Sequence, residues 1–205
     1  FEAERVSFVD NKGNKVKDYT YEEFAQAVER AIYVLSLIQK ENGGYSSVGT
    51  VNSESIVQVI TALTALDIDP LQENIELKHI GKTVDFITEG KEHEGVFTNN
   101  MIDALLTFWA NGSGSSSEVG GFKHVTAGYD GGGGSGTGVN AMATDQALYG
   151  LIAYDRFKKG ENDLYDMTDM TSGQYKGMKA TKLTAQYVSV DEEVIEIKEF
   201  SPYSV

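Results

Sequence analysis

Gln39-Lys40-Glu41-Asn42-Gly43-Gly44-Tyr45, followed by the segment from Asn52 to Pro70, decides the reading of the fold. Upstream of it, Phe24, Ala27, Val28, Ala31, Leu35 and Ile38 recur at steps of three and four, the spacing of an amphipathic helix over about residues 21–40. Thr20 with Glu23 three positions later supplies a capping box for its start. Asn42-Gly43-Gly44 stops it, because glycine readily takes the left-handed conformation found just past a helix end. Downstream, Asn52 or Ser53 caps a second helix. Ile56, Val59, Ile60, Leu63 and Leu66 form its buried face, with Ala62 and Ala65 as small contacts. Asp67-Ile68-Asp69-Pro70 closes it, since proline disfavours a helical residue before it.

The same pattern returns later in the chain. At an offset of 88 positions Asn52 falls on Asn140, Gln58 on Gln146, Val59 on Ala147, Ile60 on Leu148, Leu63 on Leu151 and Ala65 on Ala153. Gly43-Gly44-Tyr45 precedes the first segment and Gly120-Gly121-Phe122 the second, each glycine pair following a helix. The unit is helix, Gly-Gly-aromatic loop, helix. Its glycines permit tight backbone geometry and its aromatic can wedge between neighbouring hairpins. Helical hairpins of this kind bury their faces by stacking side by side.

Near the start of the chain, Val6, Phe8, the polar run Asp10 to Asn14 and Val16 read as strand, turn, strand. Leu71 to Leu77 reads as a helical turn, and Lys82 to Thr88 as a short helix or a strand. Asn99 or Asn100 caps a short helix carrying Met101, Ile102, Leu105, Leu106, Phe108 and Trp109, which ends at Asn111-Gly112. Gly112 to Gly121 and Gly128 to Gly138 are Gly/Ser-rich loops. A last helix spans Ala141 to Lys159 and stops at Gly160. A turn covers Leu164 to Met170, and the segments around 182–190 and 194–197 read as strands. The organisation is a short β linker over 1–19, a helical repeat domain over 20–170 and an extended or β segment over 171–205.

Composition narrows the function. Lys and Arg number 17 against 31 Asp and Glu, for a net charge of −14, which argues against gripping nucleic-acid phosphates or docking on anionic lipid. With no Cys there is no disulfide, thiolate metal site or cysteine nucleophile. No apolar run reaches the 18 or so residues of a membrane span, so no direct membrane insertion is expected. The chain starts at Phe1 rather than Met, which fits either removal of a leader or the boundary of a fragment. Hydrophobic residues at 40% allow a packed core.

Few residues offer chemistry. Asp163, Asp166 and Asp169 could gather calcium, but they lack the glycine and distal Glu of an EF-hand loop, and helix caps account for them more simply. The run Asp130 to Gly138 is glycine-rich, yet no Lys follows it as in a phosphate-binding loop. No Gly-x-Ser-x-Gly elbow occurs. His79, His93 and His124 are the only histidines, and no two sit four apart on one helix. Solvated or locally bonded imidazoles are the simplest reading of all three.

Gln39 to Tyr45 resembles the Q-x-x-x-G-G-aromatic repeat of the prenyltransferase and squalene–hopene cyclase superfamily. Gly43 to Pro70 and Gly120 to Met167 resemble more closely the prenyltransferase-like repeat regions of Gram-positive bacterial surface proteins. The likeness covers roughly residues 21–170. The second copy carries Ser116 where the first has Gln39, a Gly/Ser insertion fills 126–138, and two hairpins are clear where the family's closed ring uses about twice as many or more. The resemblance implies a mainly α chain: a partial α/α toroid of antiparallel helical hairpins, with short β segments at the N- and C-terminal ends. It implies an extracellular or cell-wall-associated bacterial protein. In such toroids the second helix of each hairpin is the inner one, and ligands sit at its loop-proximal end. That marks Tyr45, Glu54, Phe122, His124, Asn140 and Asp145 as candidate ligand-binding residues, while Tyr45 and Phe122 read equally as plugs between hairpins.

Asp67-Ile68-Asp69-Pro70 resembles the acidic D-x-D-D motif of squalene–hopene cyclases except for Pro70, and a polar loop ending a helix explains it better. Related prenyltransferases hold zinc through Asp, Cys and His, and the cysteine is absent here. No catalytic residue, metal site or cofactor is therefore assigned. The reading is a non-catalytic module of a secreted or cell-surface protein, binding a protein or small-molecule partner or spacing other domains. The alternatives are an isoprenoid-processing enzyme of the terpene cyclase and prenyltransferase class, and a small-molecule carrier like the α/α barrels that bind cobalamin.

Overall fold

In the computed structural model the described residues are 5–87, 92–93, 96–97, 100–111, 119–128, 137–171, 183–188 and 194–200. The chain divides into two compact units, Phe1–Leu164 and Tyr165–Val205.

The first unit opens with an antiparallel hairpin, β1 (Arg5–Val9) and β2 (Lys15–Thr20). Its turn is held by the Asp10 carboxylate, which accepts from the Lys12 and Asn14 amides at 2.8 and 2.9 Å, while Gly13 takes φ 80°. Helix α1 (Tyr21–Ile38) follows with the expected capping box: Thr20 Oγ1 accepts from the Glu23 amide and the Glu23 carboxylate accepts from the Thr20 amide. It ends two residues before the expected limit, because Gln39 is extended and turns its side chain inward.

Helix α2 (Ser53–Ala65) occupies the middle of the unit. Ile56, Val57, Val59, Ile60 and Leu63 are all buried, as are Thr61 and Thr64. So many β-branched residues favour a helix only weakly, and burial on several sides sustains this one. A left-handed Asp67 (φ 58°) terminates it. The Ile68 amide returns to Leu63 O at 2.9 Å and the Asp67 amide to Thr64 O at 3.1 Å, so Asp67 fills the position usually taken by glycine.

The helical turn expected over Leu71 to Leu77 is not formed. Ile75–Leu77 (β3) pairs antiparallel with Lys82–Val84 (β4), and Ile75, Leu77, Val84 and Phe86 enter the core. The alternation Ile75-Glu76-Leu77, buried, exposed, buried, is the period of a strand. Two further small pairs follow: β5 (Glu92–His93) with β6 (Val96–Phe97), and β7 (Trp109–Asn111) with β8 (Val119–Phe122). Between them lies α3 (Met101–Leu106), capped by Asn100. It stops before Phe108 and Trp109, which sequence spacing had placed on the helix. Trp109 instead pairs with Phe122, their rings edge to face at 5.2 Å. Of the two Gly/Ser-rich segments, 112–118 and 129–136 fall outside the described residues.

Helix α4 (Ala141–Lys159) has the expected limits, with Gly160 left-handed at φ 67°. It packs chiefly on α2. Its contact face is small, with Ala143, Ala147, Gly150 and Ala153 buried, and a Cβ placed on Gly150 would lie 3.0 Å from a Val57 methyl. The two helices run in the same direction. Their N-terminal ends are both tied to residues 122–124, and near their C-terminal ends Lys158 Nζ meets Asp69 Oδ2 at 3.0 Å. Helix α1 has its main neighbours in β2, β1 and β4, so the principal helix pair is parallel α2–α4 rather than an antiparallel α1–α2 hairpin.

In the second unit Thr168–Thr171 forms a 3-10 turn, and β9 (Leu183–Val188) pairs antiparallel with β10 (Val194–Phe200). The Asp166 carboxylate caps the turn, accepting from the Thr168 amide at 3.1 Å and its hydroxyl at 2.6 Å.

The molecule is thus mixed, with helix ahead of strand among the described residues, and the mainly α expectation holds in that coarse form. Its strands are not confined to the two ends. Three of the five hairpins lie between α1 and α4, where apolar side chains at alternate positions reach a shared core.

Candidate functional site

The two Gly-Gly-aromatic loops are built alike. The Tyr45 carbonyl accepts from the Asn52 amide at 3.2 Å, and the Phe122 carbonyl accepts from the Asn140 amide at 3.0 Å. One residue further out, Ser46 bridges Val51 and Lys123 bridges Val139. Asn52 Oδ1 then caps α2 through the Ser55 amide at 2.8 Å, as Asn140 Oδ1 caps α4 through the Ala143 amide at 3.0 Å. Gly43 and Gly120 share a left-handed φ of 78° and 77°. The next glycine in each loop faces a valine: a Cβ on Gly44 would lie 2.5 Å from Val51 Cγ1, and one on Gly121 2.6 Å from Val139 Cγ1. At either place a larger residue would force the valine to shift. Gln39 braces the first loop, donating to Gly43 O at 3.0 Å and accepting from the Ile87 amide at 2.7 Å.

A buried polar cluster joins the second loop to the start of α2. His124 Nδ1 lies 2.6 Å from Glu54 Oε2, and the two residues are only 3% and 7% exposed. The Ser53 hydroxyl is 2.9 Å from both Glu54 Oε2 and Lys123 O, so its one proton goes to one of them at a time. The Ser53 amide donates to His124 O at 3.1 Å. Glu54 stands in the first turn of α2, where the helix dipole favours a carboxylate. Its Oε1 is buried without a hydrogen-bond partner among the described residues, a cost offset only by the strong bond at Oε2.

The six expected site residues separate accordingly. Glu54 and His124 are in direct contact. Phe122 and Asn140 meet through their backbones. Tyr45 is buried elsewhere, its hydroxyl donating to Leu35 O at 3.1 Å, and burial pushes its phenol well above the ordinary range. Asp145 is exposed on α4. Both aromatics belong to the hydrophobic core. Sequence spacing missed the role of Ser53 as a link between segments. The only hint was its place beside the capping Asn52.

Outside this cluster, His79 Nδ1 lies 2.7 Å from Glu29 Oε1, and the other Glu29 oxygen accepts from the Ile80 amide at 3.0 Å. The hydrogen bond to Glu29 raises the imidazole pKa above its usual value, aided by the charges of Glu29 and Glu22. One carboxylate so clamps the β3–β4 hairpin to α1. The side chain of His93 lies outside the described residues. Asp69 Oδ1 accepts from the Leu71 amide at 2.9 Å and Oδ2 pairs with Lys158, as a helix-ending loop requires. Clefts of about 240 Å³ and 340 Å³ lie at the C-terminal ends of α2 and α4 and beside α1 against Leu66 and Ile68. Among the described residues no three acidic or histidine side chains are grouped to hold a metal ion, and no helix is long and apolar enough to cross a membrane.

Comparison of the chain with protein-family models, with curated proteins and with solved structures gives no match.

Proposed function

We propose that the chain is a non-catalytic scaffold module of a secreted or cell-surface bacterial protein, a sector of an α/α toroid that spaces neighbouring domains or holds a partner. The observation that carries this reading is the double use of one loop design. Gly44 against Val51 and Gly121 against Val139 close the same turn ahead of an Asn-capped helix. The parallel course of α2 and α4 fits two successive inner helices of a ring. The resemblance of both segments to surface-protein repeats and the net charge of −14 favour the outside of the cell.

The chemistry favours structure over catalysis. A general acid must reach its substrate, and Glu54 and His124 are spent on each other and on Ser53 inside the fold. Equilibrium dialysis against isoprenoid diphosphates and corrinoids tests the reading. No retention is expected. Saturable retention of either, lost in Glu54→Gln, would replace the scaffold with an enzyme or a carrier. Fractionation of the producing bacterium tests the compartment, and recovery in the cytosol would overturn it.

A further inference from the structure

Glu29 locks the turn between β3 and β4 against α1, through His79 at 2.7 Å and the Ile80 amide at 3.0 Å. Between the two elements runs an open groove of about 500 Å³, lined by Gln26, Arg30 and Tyr33 of α1 and by His79, Ile80 and Lys82 of the hairpin. Small-molecule sites occupy about 300–1,000 Å³. Gln26, Arg30 and Tyr33 follow one another at steps of four and three, so they share one face of the helix. Lys82 stands opposite the buried Leu77 and alternates with the buried Val84, which turns it toward α1. There its ammonium lies 5.6 Å from the centre of the Tyr33 ring. The charges of this groove are unusual for the chain. Acidic side chains number 31 against 17 basic ones, and Lys15, Lys158, Lys159 and Arg156 have each paired with one. Arg30 and Lys82, both exposed, meet no carboxylate among the described residues. The nearby carboxylates are engaged or turned away. Glu29 holds the hairpin, Glu22 accepts from Gln26 Nε2 at 2.9 Å, and Glu76 lies on the other face of β3. Lys78 adds a further positive charge beside His79. Two neutral polar groups are also open: the Gln26 carbonyl oxygen and the Tyr33 hydroxyl make no hydrogen bond among the described residues.

We propose that this groove binds an acidic sugar, a polyhydroxylated ring bearing one carboxylate or phosphate. The anionic group is held between the Arg30 guanidinium and the Lys82 ammonium, the first through its fork of N–H donors and the second as a point charge. The Gln26 carbonyl and the Tyr33 hydroxyl take hydroxyl groups of the ring. His79 is engaged by Glu29 and keeps the hairpin bank in place, so the two banks are set before the ligand arrives. A chain of net charge −14 repels anions over most of its surface. Uptake here therefore depends on Arg30 and Lys82 and not on the field of the whole molecule. The proposal goes beyond the scaffold reading and does not rest on it, since no residue of the groove belongs to either Gly-Gly-aromatic loop.

Isothermal titration calorimetry on the whole chain is the test, with glucuronate and glucose 6-phosphate as ligands and glucose and inorganic phosphate as comparisons. Saturable binding of at least one acidic sugar is expected, with glucose and inorganic phosphate each bound at least about tenfold more weakly, because each offers half of the recognised chemistry. Arg30→Gln and Lys82→Gln are each expected to weaken the acidic sugar by about tenfold or more. Both positions are exposed, and an unchanged circular dichroism spectrum and urea midpoint verify that the variants fold. Lys40→Gln removes another exposed charge that lies outside the groove, and binding is expected to be unchanged in it. Absence of saturable binding of both acidic sugars overturns the proposal. So does binding that survives Arg30→Gln and Lys82→Gln, or that Lys40→Gln weakens equally. Inorganic phosphate bound as tightly as glucose 6-phosphate overturns the recognition of a sugar.

Discussion

Glu54 Oε2 and His124 Nδ1 meet at 2.6 Å across 70 residues of sequence, inside the protein. The contact ties the first turn of α2 to the segment just past β8, so it fastens two parts of the chain that are distant in sequence. Removing one member leaves the other buried without its shortest hydrogen bond. Glu54→Ala and His124→Ala are each expected to cost about 3–5 kcal/mol in urea unfolding. The double replacement by leucine should cost much less than the sum, since two apolar groups need no partner. Additive losses would mean that the two side chains do not depend on each other.

The matched glycines make a second prediction. Gly44→Ala and Gly121→Ala each drive a methyl into a valine, and each is expected to lose about 1–3 kcal/mol. Val51→Ala should recover part of the first loss and Val139→Ala part of the second, with neither rescuing the other loop. Equal rescue by either valine variant would show that the effect is general helix loosening and not local collision.

His79 gives the structure a pH dependence of known sign. Glu29 raises its folded value above the ordinary 6.5, so protonated His79 stabilises the clamp between α1 and the β3–β4 hairpin. That contribution is complete below pH 6.5 and disappears as pH rises through the raised value. Thermal unfolding followed across this window should show Tm falling with pH, and His79→Gln should flatten that part of the curve. A slope unchanged in the variant would assign the dependence to another group.

Local chemistry was legible in the sequence and distant pairing was not. Thr20 with Glu23, Asn100, Asn140 and Gly160 fix helix ends through bonds to residues a few positions away, and those ends fall where the spacing placed them. The β3–β4 hairpin depends instead on Glu29, which reaches Ile80 from 51 residues off. Trp109 looked helical beside Leu105 and Phe108, yet its backbone pairs with Phe122 beyond a Gly/Ser-rich segment. Of the candidate site, Glu54 and His124 were marked by the family resemblance. Their contact was not, because it depends on how two units pack, a property held by no single segment.

That packing includes Gly150, which lies close against Val57 between α2 and α4. Alanine is the better helix former by about 1 kcal/mol, so on an isolated helix Gly150→Ala would stabilise. Here the added Cβ lies 3.0, 3.1 and 3.3 Å from three Val57 atoms, closer than ordinary contact. Overpacking of this kind costs about 1–3 kcal/mol, so a net loss is expected in the wild-type background. Val57→Ala opens the space, and in that background Gly150→Ala should gain stability because only the helix preference remains. The change of sign is the signature, measured as the coupling energy of a double-mutant cycle by urea unfolding. A gain from Gly150→Ala in both backgrounds would show that Val57 yields to the added methyl, and the expected coupling between the two residues would be wrong.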